Sequence, residues 1–573
     1  MTAARQPAVE IAVEAQRCLG ELRRPWRSVG FDEINWTYTP TGQGLLALLG
    51  ALGEGPYLVR SHYMFCSGSG FGLPHWGAGN VYHEHPDGSF SADFQILDRV
   101  YDAVTGAGHH PIVELGFTPI ELVPPDALSR FAFQPGSPTQ YGAYEAGLWS
   151  FPPRDLGRWS ELVRATVEHC LRRYGPARLA EWRFECWNEP DIGYWRGSTE
   201  EYCQLYEATA TAVRAAFPAA LVGGPATTGD LVRADGSEGS GPAFLDAFLD
   251  YCAANRTPLD FVSFHSKGSM FRPFRTYLPA GAAPPGGESP STSKVLREVA
   301  HGLEAVARRH AELGELPCLV DECDPSVPAH FGRFDNPSFG FRNSEYYAVF
   351  QCNMMKKLLD LEQRSGVSIE GATAWAFYFE GERCFEGTRS LLTYGGLEKP
   401  VLNAYRMLAR LGRWRLAASS SAATALTSLL AGAEAGDDGD EVDVLAARGE
   451  DGGHQVLVWR HADDQFVEDR EGRRISVRVL GLPEGVWTVR QWRIDDAHSN
   501  AFRRWVELGS PDYPDPEQLD ALRARASLER CSADLEVASE HGELALEVVL
   551  GLPAVALVEL SPRPYEAKEP LLG

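Results

Sequence analysis

The stretch EWRFECWNEPD, residues 181–191, begins as a buried strand and ends in polar residues. Phe184 and Trp187 suit a barrel interior, whereas Asn188 and Glu189 follow them directly and a proline ends the run. In a barrel of parallel strands, residues at the carboxyl ends of the strands project into the mouth where substrates bind. The stretch therefore predicts a barrel strand that presents an amide and a carboxylate side by side.

Seven more apolar runs of this kind lie between residues 26 and 412, and amphipathic helical patterns follow them. The eight strand candidates are RSVGFDEINW (27–36), YLVRSHYMF (57–65), PIVELGF (111–117), EWRFECWNE (181–189), ALVGGPA (220–226), LDFVSFHSK (259–267), PCLVDEC (317–323) and GATAWAFYF (371–379). Eight alternating β and α units predict an α/β fold, the (β/α)₈ TIM barrel. A doubly wound open sheet is the rival fold, but no GxGxxG follows the first strand.

Beyond residue 415 the pattern changes, and period-two patterns dominate, as in VDVLAAR (442–448) and QVLVWRH (455–461). This alternation predicts half-buried antiparallel strands and hence a C-terminal β-sandwich packed on the barrel. VEIAV (9–13) alternates as well and could add a strand to the sandwich. We therefore expect an N-terminal segment at 1–25, a catalytic barrel at 26–412 and a β-sandwich domain at 413–573.

The composition argues against nucleic-acid binding, a membrane span and a structural zinc site. The net charge is −25 with no basic stripe, which argues against a nucleic-acid partner. No run approaches the ~20 apolar residues that cross a membrane, and the N-terminus lacks the apolar core of a signal peptide. The eleven cysteines are scattered without a CxxC pair, which indicates reduced core thiols rather than a structural zinc site. We expect a cytoplasmic protein without metal or cofactor; association of identical copies is left open.

A second carboxylate ends another predicted barrel strand. Glu322 lies in LVDECDP (319–325), at the end of the seventh strand, as Glu189 ends the fourth. Because the strand ends surround one narrow cleft, we expect the two carboxylates to face each other. Cleavage of a glycosidic bond needs such a pair, since one carboxyl protonates the leaving oxygen and the other attacks the anomeric carbon. The alternative is that either glutamate is only an ion-pair partner.

Both glutamates lie in segments that resemble a known family. FECWNEPD (184–191) together with LVDECDP is similar to glycoside hydrolase family 39, which contains β-xylosidases and α-L-iduronidases. The resemblance is closest to the iduronidase branch and spans about residues 57 to 560. It implies a retaining exo-glycosidase that acts on a glycoside or oligosaccharide, with Glu189 as general acid/base and Glu322 as nucleophile.

Four more residues are candidates for sugar contact. Asn188 can hydrogen-bond the sugar 2-hydroxyl, a contact that strengthens in the transition state. His265 and Lys267 lie two apart on the sixth strand, so both point toward the cleft mouth. The resemblance implies that Lys267 contacts a substrate carboxylate. Arg389, in FEGTRSLL, resembles an arginine near the same carboxylate, with the spacing shifted by about one residue.

Three further candidates lie at the predicted rim. His62, at the end of the second strand, resembles a family histidine in the motif Arg-x-His-Tyr/Trp. Trp375, on the eighth strand, is either a stacking floor for the sugar or part of the barrel core. Glu380 follows the same strand.

Two other functions remain open at this point. A metal-dependent lyase-type barrel would need a third acidic ligand, for which Asp32, Glu33 and Glu114 are available, although no metal-ligand spacing links them. A sugar-binding barrel without catalysis would have lost one of the two glutamates, and both are present. Xylosides and α-L-iduronides share a ring skeleton apart from the carboxylate, so the sequence leaves the sugar undecided.

Overall fold

A barrel of parallel strands and an antiparallel domain make up the protein. The computed structural model describes residues 8–32, 34–66, 69–70, 73–74, 79–127, 147–232, 237–271, 286–375, 381–436 and 439–563. The barrel strands, first to eighth, are Ser28–Phe31, Leu58–Ser61, His110–Leu115, Arg183–Cys186, Leu221–Thr227, Phe261–Lys267, Cys318–Asp324 and Ile369–Ala372 with Ala374–Trp375.

The eighth strand closes the barrel by pairing in two parts. Ile369–Ala372 pairs with the seventh strand, and Ala374–Trp375 pairs with the first. All neighbouring barrel strands run parallel. The ladder therefore runs through all eight strands in sequence order, which confirms the predicted barrel.

One long helix follows each barrel strand and covers the outside of the barrel. These helices are Pro40–Gly50, Gln95–Gly106, Leu156–Tyr174, Thr199–Ala216, Ser240–Asn255, Thr292–Ala307, Glu345–Ser365 and Pro400–Ala409. Shorter α-helices are Pro176–Leu179, His310–Leu313, Leu426–Leu430, Ala501–Glu507 and Pro516–Arg523. Single turns of 3₁₀-helix are Ile34–Trp36, Ile120–Leu122, Leu148–Ser150 and Tyr394–Gly396, and a longer one is Pro337–Asn343.

The sequence explains these helices locally. Helix Thr199–Ala216 begins after Ser198, whose hydroxyl accepts from the backbone N–H of Glu201 while the Glu201 carboxylate accepts from the backbone N–H of Ser198. Such a cap stabilises a helix by about 1 kcal/mol. Tyr202 and Tyr206, four residues apart on its inner face, are both fully buried. The apolar stripe faces the barrel, as the helical period requires.

The C-terminal strands form one continuous, mostly antiparallel sheet that encloses its own hydrophobic core. Its ladder runs through Glu529–Arg530, Gly485–Ile494, Ala554–Pro562, His454–His461, Glu441–Arg448, Trp414–Ser420, Val9–Glu21, Asp469–Leu480 and Glu543–Leu552, with Leu535–Ser539 paired beside Gly485–Ile494. The sheet curls, so that Glu543–Leu552 at one end of the ladder contacts His454–His461 from its middle. The predicted antiparallel domain beside the barrel is confirmed.

The N-terminal strand belongs to this second sheet. Val9–Glu21 pairs parallel with Asp469–Leu480 and antiparallel with Trp414–Ser420. Its residues Val9, Ile11 and Val13 are buried in the core of the antiparallel domain. The domain limits at residues 26 and 412 stay a prediction.

Three short hairpins complete the strands: Ser69–Gly70 with Leu73–Pro74, Tyr82–Glu84 with Phe90–Ala92, and Leu392–Thr393 with Leu397–Glu398. Among the helices of the described residues, none has the length and apolar character that crossing a bilayer requires.

Candidate active site

Glu189 and Glu322 meet at the carboxyl ends of the barrel strands. The fourth strand stops at Cys186, earlier than the sequence suggests, because the backbone turns at Trp187 (φ 72°) and Glu189 (φ 45°). Glu322 lies opposite His265 in the ladder between the seventh and sixth strands. One carboxylate oxygen of each glutamate and one ring nitrogen of His265 all lie within 4.8 Å of one another.

Positive groups surround the Glu322 carboxylate. Lys267 Nζ donates to Oε2 at 2.6 Å, and Arg60 Nη1 donates to Oε1 at 3.2 Å. His62 Nε2 lies 3.4 Å from Oε1. Burial alone would raise the pKa of Glu322, but the positive charges of His265 and Lys267 outweigh burial and hold the pKa well below its usual range. The carboxylate is therefore ionised at neutral pH.

Among the residues that the structure describes, Glu189 has one close cationic partner. His265 Nδ1 lies 2.9 Å from Glu189 Oε1, and the backbone N–H of Glu189 donates to the carbonyl of Ala226 at 2.9 Å. His265 is fully buried. Burial lowers the pKa of His265, but the charges of Glu322 and Asp321 outweigh it and raise the pKa to about 10. His265 is therefore an imidazolium that donates to Glu189.

Arg60, on the second strand, joins the parts of the site and was missed in the sequence. Its fully buried guanidinium donates from Nε to Glu185 Oε2 at 2.6 Å and from Nη2 to Asn188 Oδ1 at 3.0 Å. Nε also lies 3.2 Å from Asp321 Oδ2, and Nη1 reaches Glu322. The available signal was its place two residues before His62 in the quoted family motif.

Asp321 and Glu185 form a buried acidic pair below the cleft. Both side chains are fully buried, and each faces Arg60. Burial and the neighbouring Asp321 raise the pKa of Glu185 to about 8, against the attraction of Arg60. Burial opposes ionisation of Asp321 too, but Arg60 and His265 lower its pKa. The pair therefore holds one proton at neutral pH, on Glu185.

His62 lies on the other side of Glu322. Its Nδ1 is hydrogen-bonded to Glu114, and its Nε2 lies 3.3 Å from Asp32 Oδ1. Burial lowers the pKa of His62, but Glu114 outweighs it and the pKa rises to about 9. Burial raises the pKa of the Asp32 carboxyl to about 7, against the opposing charge of His62, so this carboxyl titrates near neutrality. Trp375 Nε1 donates to Asp32 Oδ2 at 3.2 Å.

The Trp375 ring packs against charged groups at the end of the barrel. It lies 5.2 Å from the Arg60 guanidinium and meets the His62 ring edge-on at 4.4 Å. Only 3% of the residue is exposed. A Cβ on Gly30 would lie 2.2 Å from the ring, so the first strand leaves room for the indole by having glycine there. The ring lies beside the predicted sugar contacts, and its role as a stacking floor stays a prediction.

Lys267 and Arg389 meet on one further carboxylate. Asp324, two residues after Glu322 on the seventh strand, accepts from Lys267 Nζ at 2.6 Å and is paired with Arg389 Nη1. Asp324 Oδ1 also accepts from the backbone N–H of Trp375 at 2.9 Å. The predicted cations Lys267 and Arg389 therefore lie together, and both bind Asp324, which is not among the predicted site residues. Glu380, the last rim candidate, lies outside the described residues.

The donor set fits a metal ion poorly. Glu189, His265 and Glu322 have the spacing for ligation, but His265 Nδ1 already lies at hydrogen-bond distance from Glu189 Oε1, at 2.9 Å. Lys267 Nζ already occupies one side of Glu322. Asp32 and Glu114 both bind His62 instead. Glu33, the third acid considered for a metal, lies outside the described residues.

Known glycosidases are similar to this chain in sequence over most of its length. A β-xylosidase from Caldicellulosiruptor saccharolyticus is 26% identical over 462 residues, which cover 79% of this chain and 80% of that protein. An α-L-iduronidase from Canis lupus familiaris is 24% identical over 615 residues, covering 98% of this chain and 79% of that protein. The chain is therefore similar to a β-xylosidase and to an α-L-iduronidase at nearly the same sequence identity.

Solved structures share the fold over nearly the whole chain. A monomeric β-xylosidase from Caulobacter crescentus CB15 matches with a TM-score of 0.73 at 23% identity, covering 97% of this chain and 100% of that one. The family 39 enzyme from Xanthomonas axonopodis pv. citri matches with a TM-score of 0.70 at 21% identity, covering 98% of each. The sequence profile "Glycosyl hydrolases family 39" matches residues 9–533. With paired carboxylates in a barrel of this fold, the chain belongs to glycosyl hydrolase family 39.

Proposed function

We propose that the protein is a retaining exo-glycosidase of the β-xylosidase or α-L-iduronidase type, which releases a terminal sugar through a covalent glycosyl-enzyme. The approach of the Glu189 and Glu322 carboxylates to within 4.8 Å carries this proposal. Retaining enzymes hold their two carboxyl groups about 5–5.5 Å apart, whereas inverting enzymes leave about 6.5–9.5 Å for a water molecule. The short separation supports retention.

Glu322 suits the role of nucleophile. Its lowered pKa keeps it ionised, and Arg60 and Lys267 direct its oxygens from two sides. In the first step an oxygen of Glu322 bonds to the anomeric carbon while the bond to the leaving oxygen breaks. The leaving oxygen takes its proton from Glu189, so that the alcohol departs neutral.

Glu189 suits the role of acid and then base. After it has given up its proton, the His265 imidazolium stabilises the resulting carboxylate through the 2.9 Å contact. That carboxylate then removes a proton from water as the water attacks the anomeric carbon and releases Glu322. Asn188 accepts from Arg60 through Oδ1, which orients the amide so that Nδ2 is the donor toward a sugar hydroxyl.

Substitution Glu189→Ala tests this assignment. With a poor leaving group, we expect kcat/KM to fall by about 10²–10⁴-fold, because the alcohol then departs without its proton. With an aryl leaving group of low pKa, which needs no proton, the fall in the first step is much smaller. The measurement is kcat/KM on a series of aryl glycosides with different leaving groups. Full activity of Glu189→Ala on the poorest leaving group would contradict the role of Glu189.

Two sugars fit this proposal. The similarity to β-xylosidases supports a neutral xyloside, and the pair Lys267 and Arg389 supports a uronide whose carboxylate would compete with Asp324 for these cations. Parallel assays with an aryl β-D-xylopyranoside and an aryl α-L-iduronide decide between the two.

A further inference from the structure

The backbone of Lys267 is bound by side chains of helix Thr292–Ala307, which takes no part in the proposed chemistry. Lys294 and Glu298, one turn apart on helix Thr292–Ala307, form an ion pair with each other. Lys294 Nζ donates to the backbone carbonyl of Lys267 at 2.7 Å, and Glu298 Oε2 accepts from its backbone N–H at 3.1 Å. Both backbone polar groups of Lys267 are therefore bound by one pair of side chains.

Glu298 is a costly group to bury, which points to a specific role. Only 4% of it is exposed, and burial raises its pKa although Lys294 opposes the shift. Besides Lys267, it accepts from Ser266 Oγ at 2.8 Å. Charged groups in a protein interior are retained where their hydrogen bonds fix a geometry. Here the fixed geometry is the end of the sixth strand, from which the Lys267 side chain reaches Glu322.

The N-terminus of the same helix is fixed by residues that follow the barrel in the chain. Asp463, between two strands of the antiparallel domain, accepts from the Thr292 backbone N–H at 2.9 Å and from Thr292 Oγ1 at 2.6 Å. Ser291 Oγ donates to Glu434 at 2.7 Å, and Ser293 Oγ donates to the carbonyl of Leu429 at 2.8 Å. Three successive residues at the helix start are thus bound to the C-terminal region.

The Asp463 carboxylate is buried between the start of helix Thr292–Ala307 and the C-terminal region. It is 4% exposed and also accepts from the backbone N–H of Ala435 at 3.1 Å and from His461 Nε2 at 3.0 Å. A carboxylate at a helix N-terminus stabilises the unsatisfied N–H groups there. Helix Thr292–Ala307 therefore connects Asp463, bound to Thr292 at its start, with Glu298, bound to Lys267.

We propose that the antiparallel domain contributes to the active site by fixing this helix: Asp463 holds its start, and Lys294 and Glu298 hold Lys267 beside Glu322. Asp463, Lys294 and Glu298 are positioning residues, since they act on the substrate only through Lys267. The inference rests on the proposed function, because Lys267 matters here as the neighbour of the nucleophile.

A double-mutant cycle tests the inference. Glu298→Ala releases the backbone N–H of Lys267 and removes the ion-pair partner of Lys294, which binds the Lys267 carbonyl. We expect kcat/KM to fall by about 10- to 100-fold on the faster of the two aryl substrates, the loss typical of a misplaced active-site group. In the Lys267→Ala background the same substitution should change kcat/KM by less than about threefold, because nothing is left to position. Equal losses in both backgrounds would overturn the proposal. If Glu298→Ala fails to fold, Glu298→Met, which keeps most of the volume and offers the Lys267 N–H no oxygen acceptor, replaces it in the cycle.

The domain contact needs a matched control. Asp463→Ala should lower kcat/KM in the presence of Lys267 and far less in its absence. Asp443→Ala removes another buried carboxylate, which joins the same two domains through Lys357, at 2.9 Å, and has no contact shown with helix Thr292–Ala307. We expect both variants to lower the thermal midpoint and only Asp463→Ala to lower kcat/KM.

Three further outcomes would overturn the inference. One is an equal effect of the two aspartate variants on kcat/KM, and another is a folded Asp463→Ala variant with unchanged kcat/KM. Unchanged turnover by Lys267→Ala would also overturn it. The proposed function fails separately, if variants of Glu189 and Glu322 keep full activity.

Discussion

Arg60 governs the charge balance of the site at the scale of single residues. It is fully buried and faces carboxylates from the third, fourth and seventh strands, among them Glu185, Asp321 and Glu322. Removing one partner from such a buried set leaves an uncompensated charge, which typically destabilises by about 3–5 kcal/mol. Arg60 is therefore one of the positive groups that keep the buried Glu322 carboxylate ionised.

Lys267 provides the prediction at this scale. Its Nζ touches both Glu322 and Asp324, so Lys267→Ala should lower turnover of xyloside and uronide alike. If Lys267 also binds a substrate carboxylate, the uronide should lose about tenfold or more beyond the xyloside, since a charged hydrogen bond contributes about 1.5–3 kcal/mol. The measurement is the ratio of kcat/KM for the two substrates. An unchanged ratio would argue against carboxylate recognition.

The sequence could indicate the residues that reach the cleft but not those that support them. Glu189 and Glu322 were identifiable because each follows an apolar run that ends abruptly. Arg60 had only the family motif Arg-x-His as a signal and Asp324 had none, since a charged residue inside an apolar strand pattern gives no sign of which partners surround it. Their pairing depends on the barrel closing, which brings together residues far apart in the chain.

At the scale of elements, the eighth strand is interrupted between Ala372 and Ala374, and this interruption sets the position of Trp375. The strand pairs with the seventh up to Ala372 and with the first from Ala374, and this change of partner brings Trp375 over Gly30. The sequence run 371–379 predicted one strand in this region. The change of partner could not be predicted, because it is imposed by closure of the ring and not by local propensity.

Gly30→Ala tests this element. The new Cβ would lie 2.2 Å from the Trp375 ring, so the indole must move. We expect a loss of about 1–3 kcal/mol in the free energy of unfolding, typical of overpacking, and a fall in kcat/KM as the ring leaves Arg60. Gly44→Ala, in helix Pro40–Gly50 with open space around its Cβ, is the control and should stabilise by about 0.5–1 kcal/mol. Equal stability of both variants, measured by chemical denaturation, would contradict this account of the first strand.

At the scale of the whole molecule, the antiparallel domain touches the barrel where it can influence the cleft. Lys357 joins Glu441 and Asp443 at one point of the junction, and Asp463 joins Thr292 at another. Alternating patterns in the sequence predicted the antiparallel domain, whereas the contacts of Asp463 come from a connection between strands, for which sequence patterns give no register. The cytoplasmic location and the association of copies stay predictions.

The identity of the residue that bonds to the sugar tests the central claim most directly. A 2-deoxy-2-fluoro glycoside with a good leaving group slows both steps, and the second more, so a glycosyl-enzyme accumulates. Peptide mapping by mass spectrometry should then find one added fluorosugar on Glu322, and Glu322→Gln should prevent the labelling. A label on any other residue, or release of the inverted anomer without a label, would contradict the claim that Glu189 and Glu322 act together on one anomeric carbon.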